Sequence, residues 1–242
     1  LDSMMLAPLL DYTQLGLMVW DLTDDCPLFS FNKRQLLRPA STMKLLTAIT
    51  ALDHLGGNYQ FRTSLYYTGE IEGHTLKGDL YCVGGMDPAF DGDDMWRFAR
   101  ALKYMEIDTL CGPIVTDVTM KDTLKWGEGW CWDDDNPTLS PLLVNRKANF
   151  TNRFLASLQE VEIVTDSVSL ASEKVPSDAK LVSERKRSID YILQRMMKDS
   201  DNLYAESMFY QIAASSHRPG RANDAARVER ALIERAGLNS SH

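Results

Sequence analysis

Residues 38–44 read Arg38-Pro39-Ala40-Ser41-Thr42-Met43-Lys44, and an apolar helix pattern, LLTAITAL, follows directly at residues 45–52. A serine and a lysine three residues apart lie on the same face of a helix. Pro39 suits a helix entrance, where the unpaired first-turn amides can stabilise an oxyanion near the serine. The stretch predicts Ser41 as a nucleophile and Lys44 as its base, because apolar surroundings lower the pKa of a lysine.

The S-x-x-K spacing alone is not specific. It recurs at residues 177–180 and 183–186, in polar sequence that we interpret as a connector. Only residues 41–44 open the most apolar helix pattern of the chain. Taken alone, the motif favours a structural interpretation, in which the serine begins a helix and the lysine stem lies along its surface.

A second motif, Ser200-Asp201-Asn202, falls at the joint between two predicted helices. Alone, such a tripeptide is most often a turn and a helix cap. Its order after S-x-x-K matches the first two of the three signatures found in penicillin-binding proteins and class A β-lactamases. The order therefore favours a site that combines Ser41 and Lys44 with the Ser200 hydroxyl and the Asn202 amide.

Composition excludes several classes of binding partner. The formal charge of −8 and the pI near 5.0 argue against a nucleic-acid or anionic-membrane partner, which requires clustered Lys and Arg. No apolar run reaches the roughly 18 to 20 residues that span a bilayer. The four cysteines form no C-x-x-C pair, and scattered buried thiols are favoured over disulfides (Cys26, Cys82, Cys111 and Cys131).

Two acidic segments are candidates for metal binding, but neither has the spacing of a metal site. Residues 91–94 precede an amphipathic pattern and are predicted to cap a helix. Residues 133–136 lack the central glycine and distal glutamate of a calcium loop, which favours a solvated turn. We predict no metal and no cofactor.

Periodicity predicts a mixed chain of helices and strands. A hairpin comes first, then the Ser41 helix, a β-rich section, a connector with one weak strand, and three C-terminal helices. The strands are predicted at residues 14–22, 28–32, 61–67, 76–83 and 112–118, the connector at 161–181, and the further helices at 95–102, 188–197, 202–214 and 223–236.

Four segments carry a family resemblance: residues 39–45 (PASTMKL), 84–88 (GGMDP), 129–134 (GWCWDD) and 199–202 (DSDN). On these segments the chain resembles the class C low-molecular-mass penicillin-binding proteins, the D-alanyl-D-alanine carboxypeptidase/endopeptidases. The resemblance implies an α/β (α+β) fold like that of penicillin-binding proteins and β-lactamases. It also implies a discontinuous, C-terminally incomplete peptidase domain of residues 1–57 and 182–242, with a β-rich inserted domain at residues 58–181.

The same resemblance implies the chemistry. Ser41 would attack the D-alanyl-D-alanine carbonyl, Lys44 would take its proton, Ser200 would relay a proton to the leaving amine, and Asn202 would hold the substrate. The partners would be peptidoglycan stem peptides and acylating β-lactams, and the location periplasmic or otherwise extracytoplasmic, with any export signal removed or trimmed. The family's third motif, Lys-Thr-Gly, does not occur in these 242 residues, so we expect this chain alone to have impaired activity.

Two alternatives stay open. One is a non-catalytic cell-wall-binding or scaffold protein of the same fold, and the other, less favoured, is a β-lactamase. The long segment between the motifs shows no deacylating glutamate loop, which disfavours the second. A Ser-His-Asp triad is disfavoured because there is no G-x-S-x-G turn and no histidine has a motif context.

Overall fold

The computed structural model describes residues 4–128, 130, 137–165 and 170–239. Backbone contacts divide the chain into two compact units, one ending at Met43 and one beginning at Lys44. The first unit contains an antiparallel hairpin of β1 (Leu17–Asp21) and β2 (Cys26–Phe31), which confirms the predicted hairpin. Asp21 Oδ1 accepts backbone hydrogen bonds from Thr23 and Asp24 and so fixes the turn between the strands.

The second unit contains two sheets. Five strands form the larger one in the order β10-β8-β6-β3-β11, with antiparallel pairing at β6-β3 and β3-β11 and parallel pairing elsewhere. The smaller sheet has the order β4-β5-β7-β9. The strands are β3 (Gln60–Tyr67), β4 (Glu70–Glu72), β5 (Thr75–Lys77), β6 (Leu80–Val83), β7 (Thr109–Leu110), β8 (Ile114–Asp117), β9 (Val164–Thr165), β10 (Leu170–Ser172) and β11 (Lys180–Ser188).

Six α-helices accompany the sheets in the described ranges: α1 (Met43–Leu55), α2 (Gly92–Tyr104), α3 (Phe150–Glu160), α4 (Ile189–Lys198), α5 (Asn202–Ser216) and α6 (Ala222–Arg235). Asp91 Oδ1 accepts a hydrogen bond from the Asp94 backbone N–H at 3.0 Å, which confirms the predicted cap of α2. Helix α3 was not predicted. None of the helices in the described ranges has the length and apolar content that a bilayer crossing requires.

Two hydrophobic clusters form the core of the second unit. The first packs α2 and α3 against the sheets and draws only on residues 65–182. The second joins α1, α4, α5 and α6, and it also takes in five residues from the region predicted as an insertion: Phe61, Met86, Met120, Leu139 and Leu143. The helical layer and the β-rich region thus share core residues, and the division at residues 57 and 182 stays a prediction.

Two expectations about strands were wrong. The apolar run at 76–83 is two strands in different sheets, because the backbone turns at Gly78, where an added Cβ would overlap the Thr68 carbonyl oxygen. Residues 180–188, which include the S-x-x-K at 183–186, form β11 rather than a connector. Successive strand residues face opposite sides, so Ser183 and Lys186 do not share a face, as the serine and lysine of an S-x-x-K motif on a helix would.

Buried carboxylates explain why so polar a segment forms a strand. Arg185 and Arg187 lie two residues apart on β11 and face Asp94, which is 2% exposed. Arg185 Nε donates to Asp94 Oδ1 and Arg187 Nη2 to Asp94 Oδ2, each at 2.6 Å. Arg187 Nε also donates to Asp87 Oδ2 at 3.3 Å. The network ties β11 to α2 and to the loop that contains Asp87.

We expect Asp94→Asn to lower the free energy of unfolding by about 3 kcal/mol, since it removes the buried charge that two half-buried guanidiniums share. Asp93→Asn is the matched control, because Asp93 is the exposed neighbour on the same helix turn. Urea denaturation monitored by circular dichroism measures both variants. Equal effects of the two substitutions would contradict a stabilising role for the network.

Candidate active site

Lys44 is the buried centre of the candidate site. It lies in the first turn of α1 and is 8% exposed. Its Nζ donates hydrogen bonds to Ser200 Oγ at 3.2 Å and to Asn202 Oδ1 at 2.8 Å. The structure therefore brings together three of the four predicted site residues, although 156 positions separate Lys44 from Ser200.

The surroundings of Lys44 lower the pKa of its amine. Desolvation by burial is the largest cause, and the carboxylates of Asp201 and Glu206 oppose it by favouring the ammonium form. A lowered pKa increases the share of neutral amine near neutral pH. Neutral amine is the form that can accept a proton from a nearby hydroxyl.

Ser200 occupies a strained backbone position between α4 and α5. Its φ is +54°, in the left-handed region that non-glycine residues seldom adopt. Such strain is concentrated at functional sites. Here it turns the chain between two helices and points the Ser200 hydroxyl toward Lys44.

Asp201 fixes this joint. Its Oδ1 accepts the backbone N–H groups of Leu203 and Tyr204 at 3.0 and 3.4 Å, which caps α5. Its Oδ2 accepts a hydrogen bond from Arg146 Nη1 at 2.6 Å and forms an ion pair with Arg195, whose Nε lies 3.3 Å away. Asp201 therefore positions the two residues on either side of it, both of which contact Lys44.

Sequence reasoning missed both arginines. Arg195 is four residues before Asp199 on a helix, a spacing that suggests a local surface pair. Arg146 belongs to a loop with no motif, where Asn145 and Arg146 both have positive φ. Consecutive non-glycine residues in the left-handed region are not recognisable from sequence, so no signal identified this loop.

Glu206 adds a carboxyl whose charge acts on Lys44, and Lys121 adds a buried cation that acts on Glu206. Glu206 lies one helical turn after Asn202 on α5, and burial raises its pKa to about 7. The charges of Lys121 and Lys44 oppose this rise, whereas that of Glu128 adds to it. Lys121 is 4% exposed, and its Nζ donates to Asp122 Oδ1 at 2.9 Å and lies 4.3 Å from the centre of the Tyr210 ring.

The GGMDP segment supports α5 from the sheet side. Gly85 O accepts a hydrogen bond from Gln211 Nε2 at 2.6 Å, and Gln211 Oε1 accepts one from Tyr59 OH at 2.8 Å. A Cβ at Gly85 would overlap the carbonyl oxygen of Arg62, so only glycine permits this close approach. The segment acts on the site by holding α5 in place.

Ser41, the fourth predicted residue, belongs to the first unit. It is exposed and lies on the 3-10 turn Ala40–Thr42, directly before α1 in the chain. Ala40 has φ +45°, so a strained residue precedes Ser41 as well. The role of Ser41 as nucleophile and its approach to Lys44 stay predictions, which rest on the sequence spacing.

The remaining predictions fall partly outside the described residues. Cys26 and Cys82 are free thiols, whereas Cys131 is not among the described residues. The GWCWDD motif and the acidic turn at 133–136 also lie almost wholly outside them. Within the described ranges, no group of three His, Cys, Asp or Glu side chains is arranged to hold a metal ion.

Comparisons with known proteins agree with this architecture. A model of the family described as D-Ala-D-Ala carboxypeptidase 3 (S13) matches residues 1–145 and 142–242. A D-alanyl-D-alanine carboxypeptidase of Actinomadura sp. (strain R39) is 29% identical over 182 residues, which are 75% of this chain and 33% of that protein. The chain thus spans about a third of the length of this curated relative.

Solved structures confirm the predicted fold class. The crystal structure of penicillin-binding protein 4 (dacB) from Haemophilus influenzae matches with a TM-score of 0.87 at 17% identity, over 94% of this chain and 68% of that one. A second structure of that protein, complexed with a β-lactam, matches with a TM-score of 0.74 at 18% identity, over 93% and 66%.

We expect Ser200→Gly to be more stable than Ser200→Ala by about 1 kcal/mol. Both variants lose the hydroxyl, but only glycine adopts φ +54° without the steric cost of a Cβ. Urea denaturation of the two variants in parallel gives the difference. Equal stability would mean that the backbone at this joint relaxes to negative φ.

The raised pKa of Glu206 predicts that stability falls between about pH 4.5 and 7. In this range the unfolded carboxyl has lost its proton and the folded one still holds it, so unfolding releases a proton and is favoured as pH rises. Glu206→Gln cannot ionise. The variant should therefore lack this fall and should gain on the order of 2 kcal/mol over the parent at pH 8 relative to pH 4.

Urea denaturation across the pH range tests this expectation, with Glu70→Gln, at an exposed strand position, as the control. The control should follow the parent profile. If Glu206→Gln also followed it, the Glu206 carboxyl would ionise in the folded protein without cost.

Proposed function

Because this chain belongs to the D-Ala-D-Ala carboxypeptidase 3 (S13) family, we propose that it forms part of a serine D,D-peptidase that cleaves D-alanyl-D-alanine or cross-link bonds of peptidoglycan. The observation that carries the proposal is the buried amine of Lys44 on Ser200 Oγ and Asn202 Oδ1. A lysine that acted only through its positive charge would not need a desolvated amine. Here the nitrogen is desolvated and directed at a hydroxyl, as proton transfer requires.

In the first step, Ser41 Oγ attacks the carbonyl carbon of the penultimate D-alanine while neutral Lys44 takes the hydroxyl proton. The backbone N–H of Ser41 stabilises the oxyanion. The tetrahedral intermediate then collapses, the C–N bond breaks, and the leaving amine takes a proton. An acyl-enzyme ester on Ser41 remains, and water hydrolyses it in a second round of the same chemistry.

Ser200 connects the two proton transfers. Its hydroxyl accepts a hydrogen bond from Lys44 Nζ at 3.2 Å and can in turn donate its own proton to the leaving amine. The proton that Lys44 gained from Ser41 then replaces the one that Ser200 gave up. In the proposed complex, the Asn202 amide holds the substrate backbone while its Oδ1 fixes Lys44.

The proposal extends to partners and location. Stem peptides that end in D-alanyl-D-alanine are the substrates, and β-lactams acylate Ser41 because their strained amide imitates that bond. The β-lactam complex of the Haemophilus influenzae protein supports this for a relative. Since the substrate is a cell-wall polymer, we propose a periplasmic or otherwise extracytoplasmic location.

Benzylpenicillin labelling followed by intact-mass spectrometry tests the function. The 242 residues contain no Lys-Thr-Gly, so we expect only slight labelling of this chain and full labelling of a version extended through that motif. Ser41→Ala should abolish the adduct and Lys44→Ala should slow its formation at least about a hundredfold, the contribution expected of a general base.

Ser183→Ala is the matched control, because Ser183 opens an S-x-x-K that lies on β11 instead of at the start of a helix. It should label like the parent. Failure of the extended protein to form an adduct, despite a native thermal transition, would favour the non-catalytic alternative. Hydrolysis of a chromogenic cephalosporin over many turnovers would instead favour a β-lactamase.

A further inference from the structure

An aromatic and cationic ladder runs along the exposed side of α2, outside the candidate active site. Trp96, Arg100 and Tyr104 are spaced by four residues and so lie on one face of the helix. The Arg100 guanidinium carbon is 4.8 Å from the centre of the Trp96 ring and 5.1 Å from that of the Tyr104 ring. Arg100 Nη2 also donates a hydrogen bond to Tyr104 OH at 2.8 Å.

These contacts hold two exposed rings in fixed orientations. Trp96 is 43% exposed and Tyr104 76% exposed, which leaves a large ring surface open to a ligand. Cation–π contacts with Arg100 restrict the rings before any ligand arrives. Binding to rings that are already ordered costs little side-chain entropy.

The ladder forms one wall of a concave site of about 450 Å³. The opposite wall comes from the end of α3, with Glu160, Val161 and Glu162. Lys103 lies between the walls, and its Nζ donates to the Glu162 carbonyl oxygen at 3.2 Å. The volume lies within the ~300–1,000 Å³ typical of small-ligand sites. We call this site the α2–α3 platform.

The platform rests on a rigid base. On their inner faces, α2 and α3 place fully buried residues in the first hydrophobic cluster, including Phe98, Leu102, Phe154 and Leu158. Lys103 is further fixed by an ion pair with Asp108. The walls of the site therefore cannot collapse onto each other without disturbing the core.

The lining has the chemistry that recognises a sugar. Open aromatic faces stack on the C–H face of a pyranose ring, since the negative ring face attracts the weakly positive C–H groups. Cationic and carboxylate side chains on one rim can donate to and accept from hydroxyl and acetamido groups. The two glutamates disfavour a polyanion such as nucleic acid, which requires unopposed positive charge.

We propose that the α2–α3 platform binds the β-1,4-linked N-acetylated amino-sugar strand of peptidoglycan. This inference rests on the proposed function, since the stem peptide of that substrate is covalently attached to such a strand. Binding the strand at one site and its peptide at another makes the second contact intramolecular. The effective concentration of peptide at Ser41 then rises without any change in the reacting groups.

The test uses a sugar that has no peptide, the β-1,4-linked N-acetylglucosamine tetramer, titrated into the isotopically labelled chain and followed by NMR. The Trp96 indole N–H resonance, assigned from Trp96→Phe, should shift on titration. Trp96→Ala and Tyr104→Ala should each weaken binding at least about tenfold, since aromatic side chains that the ligand covers dominate such contacts. Thermal unfolding establishes that each variant is folded.

Tyr191→Ala is the matched control, because the Tyr191 ring also has a cation–π contact, with Arg187 at 5.3 Å from its centre, but does not line the platform. It should bind the tetramer like the parent. Absence of a shift at Trp96, or equal affinity in Trp96→Ala, would overturn the proposal. Concentration-dependent self-association lost in Trp96→Ala would overturn it too, in favour of an interface between copies of the chain.

The result of the sugar-binding titration does not depend on catalysis. Ser41→Ala should bind the tetramer with parental affinity, because the platform does not include Ser41. Sugar binding without penicillin labelling of the extended protein would refute the peptidase and leave the platform standing. Penicillin labelling without sugar binding would refute the platform and leave the peptidase standing.

Discussion

The hydrogen bonds of Lys44 with Ser200 and Asn202 make α1 and the α4–α5 joint depend on each other. A buried amine without acceptors would destabilise the fold, since it would lose its water contacts and gain nothing in return. Both acceptors flank Asp201, whose cap on α5 and two arginine partners fix their backbone. The position of the Lys44 amine therefore depends on the Asp201 carboxylate, which acts through the residues on either side of it.

Support for the joint extends through the whole second unit. Gln211 connects α5 to Gly85 at the end of β6, and Asp87, two residues further on, is held by Arg187 of β11. Strand β11 continues directly into α4, which ends at the joint. The buried ion pairs of the β-rich region and the candidate site thus belong to one connected structure. This connection explains how a region remote in sequence can determine the geometry at Ser200.

Local patterns predicted much of this structure, and pairings across the chain account for what they missed. The hairpin, α1, the Asp91 cap and the three C-terminal helices follow from periodicity and capping, which act within a few residues. Strand β11 was missed because Arg185 and Arg187 are polar, and only buried Asp94, some 90 residues away, makes a strand favourable for them. Arg146 was missed for the same reason.

For the pKa of Lys44, the direction of the shift and its main cause were predictable from the sequence, but the opposing charges were not. Apolar sequence around Lys44 indicated a lowered pKa, and burial does lower it. The sequence did not indicate that Asp201 and Glu206 would oppose the effect. Two guanidiniums already neutralise Asp201, which weakens its support for the ammonium form.

Glu206 acts on Lys44 only when it is ionised, and its pKa of about 7 places that change near neutral pH. Below pH 7 the protonated carboxyl adds no negative charge, so the desolvated amine gives up its proton more readily. Above pH 7 the carboxylate favours the ammonium form and raises the pKa of Lys44. Ionisation of Glu206 near neutral pH therefore opposes the lowering of the Lys44 pKa that burial causes.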